Sequence, residues 1–255
     1  MHDLSGKTVL LTGASKGIGA ATAMALGQAG AHLIAHYGSD AGGAEAAVTS
    51  LPPERVLLIQ ADLGHGAEVD RLWREALAWR GRIDVLVNNA AVMSMDGGIE
   101  ADDAAWDAAW DEALRVNVVA PTRLMRHAVR HYLGQGGGIL VTVSSWVAQR
   151  GAGNPALLTY AASKGAVLAA AKTIARHYAA RGVLAYNIAP GVVRTRLSEQ
   201  AAAAAGGEAA VTAGLAMGEW VPPAEIADLI AWLATGTCRH LTGATLDVNG
   251  ASYLR

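Results

Sequence analysis

The sequence predicts an α/β fold: a doubly wound, mostly parallel seven-stranded sheet with helices on both faces, in one domain spanning residues 1–255. Three observations predict it. Seven short apolar runs alternate with segments of about 15 to 40 residues, long enough to hold a crossover helix. A chain with 52% hydrophobic and 16% charged residues can bury both faces of such a sheet. No linker rich in Pro, Gly or Ser interrupts it, and no internal repeat divides it.

In order, the expected strands are KTVLL, AHLIAH, RVLLIQ, RIDVLVN, GGILVTVSS, GVLAYNIA and ATLDVNG. Between the first strand and its helix stands TGASKGIG, residues 12–19, with Thr12 closing the strand and Gly13, Gly17 and Gly19 at the turn. A helix start offers unpaired N–H groups and the positive end of its dipole, and glycine lets a phosphate reach the backbone. The second strand ends HLIAHYGSD, so Tyr37 stands where a ribose-binding carboxylate selects NAD. With Lys16 near and Ser39 able to donate, a 2′-phosphate has partners and no repelling acid, which favours NADP. Asp40 is the counterweight, and through it NAD is the alternative.

After the fifth strand come Ser144 and Ser145, at the sheet edge where open α/β sheets keep their ligand crevice. The next helical segment carries YAASK, which puts Tyr160 and Lys164 one turn apart on one face. A nearby ammonium is expected to lower the phenol's pKa and make it a usable acid/base for an alcohol or carbonyl oxygen. From about residue 194 to 222 no strand pattern appears and the chain is longer than an ordinary connection, so a mobile substrate lid is expected there.

Bulk properties exclude several classes. A net charge of −2 and dispersed Lys and Arg give no pull toward nucleic acid. The single Cys238 cannot form an intramolecular disulfide or a cysteine-cluster metal site; it is read as a buried small hydrophobe in a reducing compartment. No signal peptide precedes the first strand and no apolar run is long enough to span a bilayer, so a cytoplasmic protein without a membrane partner is expected. His32 and His36 share one strand, and His127, His131 and His177 fall in helical stretches. None shows ligand spacing with carboxylates, so no metal is expected. Trp73, Trp79, Trp106 and Trp110 lie in helical register, as packing residues do, and Arg126, Arg130, Arg176 and Arg181 are placed on the helices after strands four and five.

These motifs, in this order, resemble the short-chain dehydrogenase/reductase family over nearly the whole chain, on a Rossmann-type fold. TGASKGIG matches the family's T-G-x(3)-G-x-G, Asp62 in ADL its adenine-contacting acid, and NNAA at 88–91 its N-N-A-G. Asn117, Ser145, Tyr160 and Lys164 match its active-site tetrad, PGVVRT at 190–195 its nicotinamide segment, and TGATLDVNG its closing strand. The resemblance implies a small alcohol or ketone substrate, Tyr160 as general acid/base and Ser145 polarising the substrate oxygen. Lys164 would hold the nicotinamide ribose, and Asn117 would position a relay water. It extends the cofactor-binding set to Gly13, Ser15, Lys16, Gly17, Ile18, Gly19, Tyr37, Ser39, Asp62, Leu63, Asn89, Ala90, Tyr160, Lys164, Pro190, Gly191, Val193 and Thr195. It also implies a homo-oligomer, tetramer or dimer, and leaves 3-oxoacyl carrier-protein reductases and sugar or polyol dehydrogenases open as the nearer kind. The chain departs from the pattern at Ala91, Tyr186 and DVNGA, and in an inferred two-residue insertion between Ser145 and Tyr160.

Overall fold

A computed structural model describes residues 2–255. Seven strands, β1 (Thr8–Leu11), β2 (His32–Tyr37), β3 (Val56–Gln60), β4 (Val85–Asn88), β5 (Gly138–Val143), β6 (Val183–Pro190) and β7 (Thr245–Val248), form one sheet. Its order is β3-β2-β1-β4-β5-β6-β7 and every pairing is parallel, so the expected mostly parallel sheet is parallel throughout. Each strand falls where an apolar run stands, because strands buried on both faces read as apolar runs.

Among the described residues ten α-helices connect and flank them: α1 (Gly17–Gln28), α2 (Ala41–Val48), α3 (Gly66–Arg80), α4 (Asp103–Leu114), α5 (Ala120–Gln135), α6 (Val147–Arg150), α7 (Leu158–Tyr178), α8 (Arg196–Ala203), α9 (Glu208–Ala213) and α10 (Pro223–Thr235). Their ends follow local chemistry. Asp40 and Asp102 cap α2 and α4 by accepting from Gly43 N–H and Ala105 N–H, while Gly81 and Gly136 close α3 and α5 in the left-handed region.

The sheet separates two apolar layers. On one face Val9, Leu11, Val85, Val87 and Ile188 meet Leu26 of α1 and Ile226 and Ile230 of α10. On the other Leu10, Leu86 and Leu140 meet Leu72 of α3, Leu124 of α5 and Val167 of α7. Alternate residues of a strand face opposite layers, so a single run such as Val9, Leu10, Leu11 supplies both.

Two sequence expectations change. Cys238 is exposed, in the short loop between α10 and β7, where its backbone carbonyl accepts from the Tyr186 hydroxyl. Its side chain therefore contributes nothing to the core. Arg181 lies past α7, in a single 3₁₀ turn (Ala179–Arg181), because Gly182 ends the segment at φ +82°. The stretch at 194–222, expected as a substrate lid, holds α8 and α9 and is tethered by a bridge between Val193 and Val221. Among the described residues no helix is long and apolar enough to cross a membrane.

Candidate active site

A cleft of about 640 Å³ opens at the carboxyl ends of the strands, where the sheet order reverses between β1 and β4. That position is where open α/β sheets bind ligands. Its floor is stitched by Thr12, whose Oγ1 accepts from the N–H groups of Asn89 (3.0 Å) and Ala90 (3.1 Å). The Asn89 side chain returns two bonds, to the carbonyls of Thr12 (2.9 Å) and Gly13 (3.1 Å). The ends of β1 and β4 are thus locked together at the site.

The glycine turn fits a pyrophosphate by exclusion of side chains. Gly13 (φ +72°) and Gly17 (φ +56°) occupy the left-handed region, and a Cβ on either would meet Ala90 Cα or the Thr195 methyl at 2.9 Å. A Cβ on Gly19 would collide with the Gly13 carbonyl. The start of α1, at Lys16, has no side-chain cap, so its N–H groups remain available to an anion. These features suit a nicotinamide dinucleotide.

Gly13, Ser15, Lys16, Gly17, Ile18, Gly19, Ser39, Asn89, Ala90, Ser145, Tyr160, Lys164, Pro190, Gly191, Val193 and Thr195 all line this cleft. Asp62 and Leu63 line an adjoining cavity of about 400 Å³, together with His36 and Gly38. Asp62 accepts from Gly64 N–H at 2.8 Å, which holds its carboxyl below the usual range. Tyr37 and Asn117 line neither. Tyr37 ends β2 and alternates with His36, so its neighbours Gly38 and Ser39 form the wall instead. Asn117 is buried, accepting from Val92 N–H (2.8 Å) and donating to Val92 C=O (2.8 Å) and Ser163 Oγ (3.0 Å). It sits in a π-helical turn, Arg115–Val119, between α4 and α5, a feature frequent at functional sites.

At the other end, α7 carries Tyr160 and Lys164 against the end of β5. Lys164 Nζ donates to the Val143 carbonyl at 2.9 Å, and Ser144 Oγ donates to the Lys164 carbonyl at 3.0 Å. Burial pushes the Lys164 ammonium down to about 8 and the Tyr160 phenol up to about 12, with the Ser145 hydroxyl pulling the phenol the other way. The phenol is thus raised rather than lowered as expected, and the group acting against its desolvation is the Ser145 hydroxyl, not the ammonium. Nζ lies 5.7 Å from the phenol ring centre, close enough to favour a developing phenolate.

Near the glycine turn, Lys16 Nζ meets Asp40 Oδ2 at 3.2 Å, and Ser15 Oγ donates to the Asp40 carbonyl at 2.8 Å. Asp40 is held below the usual carboxylate range, first by the Gly43 N–H and then by Lys16. Arg196, the first residue of α8, lines the same cleft and was not among the residues expected from sequence. A single arginine inside a weakly patterned segment carries no local signal of this placement. Within the segment at 194–222, Arg194 pairs with Glu208 at 2.9 Å and lies over the Trp220 ring, while Trp220 Nε1 donates to Thr212 Oγ1 at 2.8 Å.

Comparison with known proteins agrees with this geometry. A family model described as enoyl-(acyl carrier protein) reductase matches residues 13–251. The chain is 34% identical to 3beta-hydroxysteroid dehydrogenase 1 of Eggerthella lenta over 99% of its own length and 95% of that protein's. It superposes with a TM-score of 0.87 on a short-chain dehydrogenase/reductase from Serratia marcescens, at 32% identity, covering 99% of this chain and 100% of that one. A 3-ketoacyl-(acyl-carrier-protein) reductase from Brucella melitensis, complexed with NADH, is similar at TM-score 0.87 and 26% identity, covering 99% and 100%.

Proposed function

The chain belongs to the short-chain dehydrogenase/reductase family, and on that premise we propose an NADP-preferring oxidoreductase that interconverts a secondary alcohol and a ketone, with Tyr160 as its general acid/base. The family acts on hydroxyl and keto groups with a nicotinamide cofactor. One observation carries the finer reading: Ser145, Tyr160 and Lys164 face the same cleft as the glycine turn. Bound dinucleotide would be held by the turn, by Asn89 and by Thr195, and it supplies the hydride donor or acceptor. Ser145 hydrogen-bonds the substrate oxygen, Tyr160 gives or takes its proton, and the Lys164 cation stabilises the phenolate while the proton is away. Asn117 holds the Val92 backbone in place along the cleft through its paired hydrogen bonds.

Val92 and Leu197 line the cleft beside these groups and favour an apolar skeleton around the reacting oxygen. A 3beta-hydroxysteroid and a 3-ketoacyl-(acyl-carrier-protein), named in two relatives' names, both carry such a skeleton. Lys16, Ser39 and Arg196 at the glycine turn support NADP over NAD. Exposed Leu114 and Val119, beside and within the π turn, support a homo-oligomer of two or four chains. The cytoplasm is the compartment this reading assigns.

The test is turnover and cofactor binding in Tyr160→Phe. Dinucleotide affinity is expected to stay within about threefold while ketone reduction falls by about 1,000-fold or more; undiminished turnover overturns the role given to Tyr160.

A further inference from the structure

His36 is 2% exposed, yet both nitrogens of its ring are engaged. Nδ1 accepts from the Gly13 N–H at 3.1 Å, and Nε2 donates to the Ala61 carbonyl at 3.0 Å. A neutral imidazole has one donor and one acceptor, and these partners use both, which sets the Nε2–H tautomer. The ring thus spans from the turn after β1 to the turn after β3, across the end of β2. It also lines the cavity that Asp62 and Leu63 share.

We propose that His36 is a positioning residue for the dinucleotide, holding the glycine turn and the opposite wall of the adenosine cavity at a set separation through Gly13 and Ala61. The proposal rests on the reading that this cleft takes a nicotinamide dinucleotide. Gly13 is held at both ends of its backbone, its N–H by His36 and its carbonyl by Asn89 Nδ2. The adjoining peptide is fixed as well, since Ala14 N–H donates to the His36 carbonyl at 2.8 Å. With Gly13 and Ala14 both held to His36, the uncapped start of α1 is left to face the anion. Ala61 precedes Asp62, so the second hydrogen bond fixes the strand end from which that carboxylate projects. Preorganisation of this kind lowers the cost of ordering the turn on binding.

Side-chain length separates the two bonds. In His36→Asn the carboxamide oxygen takes the place of Nδ1 and keeps the Gly13 bond but falls short of Ala61. In His36→Gln the amide reaches toward Ala61 and leaves Gly13 without its acceptor at the native position, and His36→Leu fills the space with neither bond. Titration of each purified variant with NADPH and NADH, read by energy transfer from its tryptophans, gives dissociation constants; steady-state kinetics gives KM and kcat. The Leu and Gln variants are expected to bind about tenfold more weakly, with the loss appearing in KM for dinucleotide more than in kcat, and the Asn variant is expected to recover most of the affinity. Should the Leu variant fail to fold by circular dichroism, the Asn and Gln pair decides alone. Equal affinity in all soluble variants, or a loss in kcat with KM unchanged, overturns the role of His36. If the wild type binds neither NADPH nor NADH, the dinucleotide reading of the cleft falls, and this proposal with it.

Discussion

Lys164 donates its ammonium to the carbonyl of Val143 at 2.9 Å, so a cation stands beneath the end of β5, one helical turn from the phenol of Tyr160. Holding a charge at a position only 4% exposed is costly, and its pKa of about 8 measures that cost. A group with no role in chemistry would be better replaced by an apolar one.

Lys164→Met therefore separates stability from activity. The folded pKa is about 8 and an unfolded lysine's is near 10.5, so between those values the unfolded chain binds more protons. Wild-type stability should rise with pH across that window, by about 3 kcal/mol from this residue, and the variant's curve should lack the rise. Urea unfolding at pH 8 and pH 10 measures it. Turnover at pH 7 should fall by about 1,000-fold.

Thr12→Val keeps the shape of the side chain and removes the acceptor shared by the amides of Asn89 and Ala90. Two donors then compete for no partner at the floor of the cleft, and a loss of about 2 kcal/mol is expected. Chemical denaturation reads it; a change below about 0.5 kcal/mol would show that solvent satisfies both amides.

Lys16→Ala and Arg196→Ala address cofactor choice. Both cations line the cleft at the glycine turn, and Lys16 is already within 3.2 Å of Asp40. Each change should weaken NADPH by about tenfold and NADH by less than about threefold, because only the former brings the extra phosphate. Equal weakening of both would place these side chains on the pyrophosphate instead.

His36 also carries an acid signature. Burial pushes its pKa down to about 4, below the 6.5 of a free histidine, so the unfolded chain binds the extra proton first as pH falls. Stability is fully present above pH 6.5 and is lost between 6.5 and 4, by about 3 kcal/mol from this group. Comparing denaturation curves at pH 7 and pH 4.5 for the wild type and His36→Asn isolates it: the variant should lose less.

The fold was legible because buried parallel strands announce themselves as apolar runs, and glycine marks the turns beside them. Gly13, Gly17 and Gly19 could be read as a phosphate turn since only residues without a Cβ satisfy that packing. What escaped lies in side-chain direction and in tertiary reach. Tyr37 and His36 are neighbours on one strand, and alternation decides that the histidine, not the tyrosine, faces the cavity lined by Asp62 and Leu63. Arg196 enters the cleft because the start of α8 packs on Gly17, a contact between residues far apart in sequence. The π turn at Arg115–Val119 has no composition of its own, and Cys238 is exposed because its loop runs outside the helix layer that an apolar side chain would join.

The position of β1 also constrains how the molecule is made. It is flanked by β2, which follows it closely, and by β4, so that Val9 pairs on one side with Leu33 and on the other with Val85. During synthesis at about 5–20 residues per second, the first three strands emerge while one edge of β1 has no neighbour. Val9 to Leu11 then present an apolar strand edge to any other nascent chain, the kind of edge that seeds aggregation. Arrival of β4 ends that exposure and in the same event brings Asn89 to Thr12, so the chain covers an adhesive edge at the moment the ends of β1 and β4 are joined beside the cleft.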